Sequence, residues 1–206
     1  YRRQRQMCIE TGVLITGIPA AGKSTLAGYL GEQLNLPVLS KDRVKELLYD
    51  TVGFRSRAEK VRLGIAAMEI MYYAAEQLML CGRQFIMENN FENVSRKGLL
   101  DILDRHDCQA LTVTLTGDYQ IIYHRFLARN QSPDRHRGHV VNTQYPEISP
   151  SASPAEITFA DFTAGIAARG MDTFSANGPH IVADTSDFDQ FDRRALLESV
   201  REFLRS

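Results

Sequence analysis

A chain of 206 residues, 44% hydrophobic and 24% charged, has the size of one ordinary globular domain and enough apolar material for a core. Its formal net charge of -1 excludes an overall basic field of the kind that holds duplex nucleic acid nonspecifically. Cys8, Cys81 and Cys108 are far apart and in no metal-ligand spacing, which fits packing roles in a reducing, cytoplasmic compartment, and no apolar run is long enough to span a membrane.

Arg2, Arg3 and Arg5 imitate the basic start of a signal peptide, but only a short apolar segment follows them. That segment, Gly12-Val13-Leu14-Ile15-Thr16, reads as a buried strand, and Ser24 through Leu34 reads as a helix. Between them, Gly17-Ile18-Pro19-Ala20-Ala21-Gly22-Lys23-Ser24 satisfies the phosphate-loop pattern of Gly, any four residues, Gly-Lys and a hydroxyl residue. A loop hinged at Gly17 and Gly22 can turn the N–H groups around Ala20 and Ala21 inward, and the helix that follows aims its positive end at the same anion. Lys23 is placed to neutralise the β- and γ-phosphates, Ser24 to hold Mg²⁺ through its hydroxyl, and Thr25 to add a second hydroxyl nearby. The expected ligands are ATP and Mg²⁺. A GTPase reading fails, because no Asn-Lys-x-Asp sequence exists for guanine and Asp50 to Gly53, the lone Asp-x-x-Gly, does not end an apolar strand.

Leu36-Pro37-Val38-Leu39 is the second predicted strand, followed by Ser40-Lys41-Asp42-Arg43 and a helix from Val44 to Tyr49. Apolar residues at Val61, Ile65, Met68, Tyr72, Ala75 and Met79 predict a helix over Arg57 to Leu80, with Gly82 as its stop signal. Gln84 to Met87 is the third strand, Ser95 to Arg105 a helix, Ala110 to Leu115 the fourth strand and Asp118 to Arg129 a helix. Asn130 to Pro150, rich in Arg, His, Pro, Ser and Gly, reads as a mobile loop, and Ser149 to Pro154 as a short linker-like stretch within one domain. A helix from Ala155 to Ala168, a strand from His180 to Asp184 and a helix from Phe188 to Leu204 close the chain. Strands and helices alternate throughout, which predicts a parallel sheet covered on both faces, with ligands at the carboxyl ends of its strands.

Lys23, Asp42, Glu88 and Asp184 all fall just beyond predicted strand ends and should converge on one crevice. Asp42 is suited to accept a hydroxyl proton opposite a γ-phosphate, and equally suited to cap the helix that begins beside it. Glu88 could reach Mg²⁺ or hold a substrate hydroxyl. Lys41, Arg43 and Lys45 put cations around Asp42. Arg125 and Arg129 share a helix face, and the loop after them carries Arg135, His136, Arg137 and His139, the densest basic cluster in the chain. Guanidinium groups on a closing loop suit phosphoryl transfer, which spreads negative charge over the γ-oxygens.

The phosphate loop, the Ser40-Lys41-Asp42-Arg43 stretch, Glu88 after the third strand and the Arg125/Arg129 pair before a basic lid resemble small P-loop kinases, nearest the zeta-toxin and polynucleotide 5'-kinase branch. The resemblance implies an α/β P-loop NTPase fold with five parallel strands in the order 2-3-1-4-5, helices on both faces and an Arg-rich lid. It covers most of the chain, roughly Gly12 to Ser206, and the expected organisation is a single kinase domain over 1–206, with an N-terminal extension at 1–11 and the lid and following loop at 130–153. It implies that Asp42 activates the acceptor hydroxyl, that Arg125 lies near the adenine and that Arg129 reaches phosphate. Lys23, Asp42, Arg129 and Arg135 are then the catalytic candidates. Asp42, Arg43, Lys45 and Glu88 are the acceptor-side ones. The expected reaction is transfer of the ATP γ-phosphate to a hydroxyl of a small molecule. A polynucleotide 5'-hydroxyl kinase is the first alternative and a regulatory ATP-binding module the second. Where polynucleotide kinases carry a second basic residue as Arg in the first substrate helix, this chain has Lys45, and its Glu88 follows the zeta-toxin pattern rather than an aspartate.

Overall fold

A computed structural model describes residues 10–148 and 157–205. The first eleven residues and the Ser149–Pro154 stretch, singled out above, therefore lie largely outside the described residues, as does the expected start of a helix at Ala155.

Five parallel strands, β1 (Glu10–Gly17), β2 (Val38–Ser40), β3 (Phe85–Glu88), β4 (Cys108–Thr116) and β5 (His180–Asp184), form one sheet in the order β2-β3-β1-β4-β5. The register runs Leu14 beside Met87 on one flank and Leu14 beside Thr112 on the other. Period-two alternation sends Val13, Ile15, Ile86, Leu111, Val113 and Leu115 to one face of the sheet, where they meet Leu26 and Leu30 of α1 (Lys23–Leu34) and Leu197 and Val200 of α8 (Arg193–Arg205). Leu14, Phe85 and Met87 point the other way, onto Met71 and Met79 of α3 (Arg57–Leu80) and Leu99 and Leu103 of α4 (Asn93–Arg105). The two cores explain why the central strands read as continuous apolar runs. The methionine- and tyrosine-rich stretch of α3 lies mainly in the second core, although Ile65, Ile70 and Tyr73 face water.

Three boundaries differ from the sequence reading, each in a way that moves the site. The second helix, α2, runs Lys41–Thr51, and its N-cap is Ser40, so Asp42 stands inside the first turn and does not cap the helix. The segment after α5 (Tyr119–Gln131) is folded rather than loose, with a single turn of helix, α6 (Arg137–Val140), whose Gly138 and Val140 are buried. The last helix begins at Arg193, because the aspartates at 187 and 192 hold turns with the backbone N–H groups of Asp189, Arg194 and Ala195, leaving Phe188 on a loop. The remaining helix, α7, spans Phe159–Arg169. No helix among the described residues is long and apolar enough to cross a membrane.

Candidate active site

The phosphate loop turns at the carboxyl end of β1. Gly17 has φ 122, and a Cβ there would lie 2.0 Å from the carbonyl oxygen of Leu115, so only glycine lets the loop leave the sheet beside β4. Lys23 opens α1, is 7% exposed, and donates to the carbonyl oxygen of Ile18 at 2.7 Å. Burial drives its pKa down to about 8. Glu88 and Asp42 pull it up, and Arg129 and Arg135 add to the fall. Ser24, next on the helix, donates its hydroxyl to Oε1 of Glu88 at 3.2 Å, while Ser40 at the end of β2 donates to Oε2 at 2.6 Å. Two strand ends and the start of α1 thus deliver hard oxygen donors to one point, a set that fits Mg²⁺. Sequence reasoning left Glu88 undecided between metal and substrate; its contact with Ser24 puts it beside the metal candidate. The part of Ser40 was missed, because a serine after a strand carries no signal without its partner.

Across the cleft, Asp42 is ringed by Lys45 Nζ at 3.5 Å, Arg135 at 3.7 Å and, at 4.0 Å, Nδ1 of His139, whose imidazole burial pushes down to about 3 and so keeps neutral at pH 7. Burial would raise its carboxyl, but the surrounding charges, Lys45 foremost with Arg135 and Lys23, outweigh burial and hold it down to about 2. The Nε atoms of Arg129 and Arg135 are buried without a hydrogen-bond partner among the described residues. Burial, with Arg135 adjacent, also pushes the Arg129 guanidinium down to about 10. Cations left with unmet donors beside a phosphate loop form an anion site, since an unpaired buried donor is costly unless a ligand completes it.

The lid is clamped onto α2 by a row of acids that sequence reasoning did not connect. Asp42, Glu46 and Asp50 stand one turn apart on α2 and meet Arg135, His139 and His136 in turn. Their four-residue spacing was the available signal. His136 accepts the N–H of Gly138 at Nδ1, so its Nε2 carries the proton donated to Asp50 at 3.0 Å. Lys60 of α3, also overlooked, is 6% exposed and donates to the carbonyl oxygens of His139 and Val141. Tyr49, Phe54 and Val141 form a small separate core beneath the lid.

A Cβ on Gly138 would lie 2.4 Å from Cδ2 of Tyr49, so this seat admits only glycine. Gly138→Ala is therefore expected to lift the lid at a cost of about 1 to 3 kcal/mol. Amides of residues 132–142 should exchange faster while those of β1 and β4 keep their protection. Unchanged lid exchange would show that α6 does not need this seat.

Three expected site residues stand apart. Arg43 points to solvent and pairs with Glu46 at 2.6 Å, its side chain 76% exposed, so it adds no charge to the cleft. Asp184 is spent on its own loop, accepting from the N–H and hydroxyl of Ser186. It shapes the turn after β5 and does not join the crevice. Arg125 is fixed by donating to the carbonyl oxygens of Thr185 and Ser186, also at the end of β5. Lys45 stays in the cleft beside Asp42.

The stretch from the phosphate loop through Asp42 and Glu88 to the lid is the part a known family shares: a family model described as an AAA domain matches residues 13–147. The chain belongs to this AAA-domain family. No curated protein matches it in sequence. Among solved structures, the AAA-domain chain is similar to a Chloroflexus aurantiacus protein designated a kinase by inference, with 25% identity, TM-score 0.75 and coverage of 97% of this chain and 98% of that one. A gluconokinase from Sinorhizobium meliloti matches at 12% identity and TM-score 0.53 over 96% and 97% of the two chains. A shikimate kinase from Bacteroides thetaiotaomicron matches at 14% and 0.51 over 95% and 99%. The last two share its fold. With the strand order, these likenesses place the chain in the α/β P-loop NTPase fold.

Proposed function

We propose that the protein is an ATP-dependent phosphotransferase that moves the γ-phosphoryl group to a hydroxyl of a small-molecule acceptor. One observation carries the reading: Lys23 and Arg135 stand by Asp42 under a closed lid with Arg129 next to Arg135, and two buried guanidinium Nε atoms have no partner among the described residues. This is the equipment of transfer to a bound hydroxyl, in which positioning and charge neutralisation do most of the work. Gly17, Ala20, Ala21 and Gly22 cradle the phosphates, with Thr25 beside them. Ser24 and Glu88 would hold Mg²⁺, which when bound neutralises charge on the β- and γ-oxygens.

In this reading Lys23 leaves the carbonyl of Ile18 for the phosphates, and Arg129 and Arg135 take the equatorial γ-oxygens. Asp42 orients the acceptor hydroxyl and receives its proton as the new O–P bond forms and the bond to the ADP oxygen breaks. The phosphate occupies the cations that hold the Asp42 carboxyl down, which lifts its basicity when it is needed. Lys45 lies beside the hydroxyl.

A single kinase domain over 1–206, a cytoplasmic setting and descent within the zeta-toxin and polynucleotide 5'-kinase branch complete the proposal. The branch is supported by Ser40-Lys41-Asp42-Arg43 and Glu88, the first holding Asp42 at the start of α2 and the second meeting Ser24. The gluconokinase and shikimate kinase likenesses favour a small acceptor.

The test is ADP release with a panel of sugars, nucleosides, nucleotide-sugars and 5'-hydroxyl oligonucleotides, the last across a salt series. A small molecule is expected to raise turnover well above basal hydrolysis, because the acceptor completes the site. Efficient, strongly salt-sensitive labelling of the oligonucleotide alone would assign a polynucleotide kinase instead. Fast hydrolysis that no acceptor accelerates would point to a regulatory ATPase.

A further inference from the structure

Helix α3 meets the rest of the protein along one side only. Met68, Met71, Ala75 and Met79 enter the core beneath it, and Lys60 on the same side holds the lid carbonyls. The other side carries Ala58, Arg62, Ile65, Ala66, Glu69 and Tyr73, at the three- and four-residue steps that line side chains up along a helix. All are exposed or partly so, Ile65 at 58% and Tyr73 at 65%, and Val61 and Ile70 widen the apolar surface on either flank. Exposed apolar side chains scattered singly mean little, but aligned on one face over about four turns they form a surface that gains by being covered.

The two charges on this face identify what covers it. Arg62 has one distant partner within the chain, Glu59 at 3.9 Å, and the carboxylate of Glu69 makes no hydrogen bond or ion pair among the described residues. The two stand about two turns apart, with Ile65 and Ala66 midway between them. A second α3, antiparallel about a two-fold axis between Ile65 and Ala66, sets each Arg62 against the partner's Glu69. The same operation lays Val61 against the partner's Ile70 and Tyr73 over the partner's Ala58, large against small. A parallel pairing would set arginine against arginine and glutamate against glutamate. A foreign partner of one sign would satisfy one charge and repel the other.

We propose that the outer face of α3 is a homodimer interface, in which two copies of the helix pack antiparallel and are closed by two Arg62–Glu69 bridges. The face is complementary to itself, and a two-fold contact of that kind stops at two copies. Ala66 beside the axis lets the helices approach closely. Because Lys60 holds the lid from the opposite side of α3, each copy braces the helix that anchors its partner's lid.

The test is sedimentation equilibrium of the full chain from micromolar to submillimolar concentration. Wild type is expected to pass from monomer to dimer. Arg62→Glu makes both charges of the face acidic and Glu69→Arg makes both basic, so each variant alone should dimerise at least about tenfold more weakly. Mixed in equal amounts, the two should form a heterodimer at least as tight as the wild-type dimer and weakened by added salt, because every pair across the axis is then opposite in charge. Ile65→Asp, which puts two carboxylates at the axis, should stay monomeric. A wild-type chain that remains monomeric throughout would overturn the proposal. So would a dimer that tolerates Ile65→Asp or both charge reversals, which closes through another face, and so would a mixture of the two charge variants that fails to associate.

Discussion

Asp42→Asn is expected to slow phosphoryl transfer by roughly 10² to 10⁴, the loss that follows removal of a general base, while ATP affinity stays near wild type. The separation follows from position. Asp42 stands on α2 beyond β2, and the expected ATP contacts sit on the phosphate loop at the end of β1. The cap of α2 is Ser40, so the amide removes no capping group, and any stability change reports the contacts with Lys45, Arg135 and His139. Single-turnover transfer to an identified acceptor, ATP binding by calorimetry and thermal melting read the three quantities apart. Normal transfer with a lower melting temperature would reduce Asp42 to an anchor for the lid.

Lys23→Met is expected to have effects of opposite sign on activity and stability. Turnover should fall by roughly 10² to 10³, as when one preorganised donor to the developing charge is lost. The nucleotide-free protein should nevertheless melt higher at pH 7, because a buried ammonium is replaced by an apolar chain of similar length. The bond to the Ile18 carbonyl offsets only part of the desolvation that drives the lysine down to about 8. Between pH 8 and the ordinary lysine value of 10.5, the unfolded chain keeps a proton that the folded one has released. Wild-type stability therefore rises with pH across that window, while below it the buried charge imposes a constant cost. The advantage of Lys23→Met should be full at pH 7 and shrink above pH 8, measured as the difference in melting temperature between the two proteins. A methionine variant that is less stable at pH 7 would mean that the hydrogen bond to Ile18 outweighs desolvation.

The phosphate loop, the five strands and the two acids after β2 and β3 were legible in the sequence because each is a local property. The spacing of Gly17, Gly22, Lys23 and Ser24 is fixed by backbone geometry within eight residues, and the strands announce themselves by apolar runs that must be buried on both faces. The lid residues Arg129 and Arg135 were legible as charge density. What the chain order could not convey was which charges meet. Arg43 and Lys45 are two residues apart on one helix, and only packing against the lid turns Lys45 toward Asp42 and leaves Arg43 in solvent. Asp184 lies at a strand end just as Glu88 does, but Glu88 is enclosed by Ser24 and Ser40 from two other elements, whereas Asp184 finds its partners two residues along its own loop. The acid row of α2 against the lid, the Lys60 clamp and the seat of Phe188 on Arg125 join positions between 63 and 93 residues apart. Such pairings leave no periodic trace, because they are fixed by how helices lie on the sheet and not by any property of the residues between them.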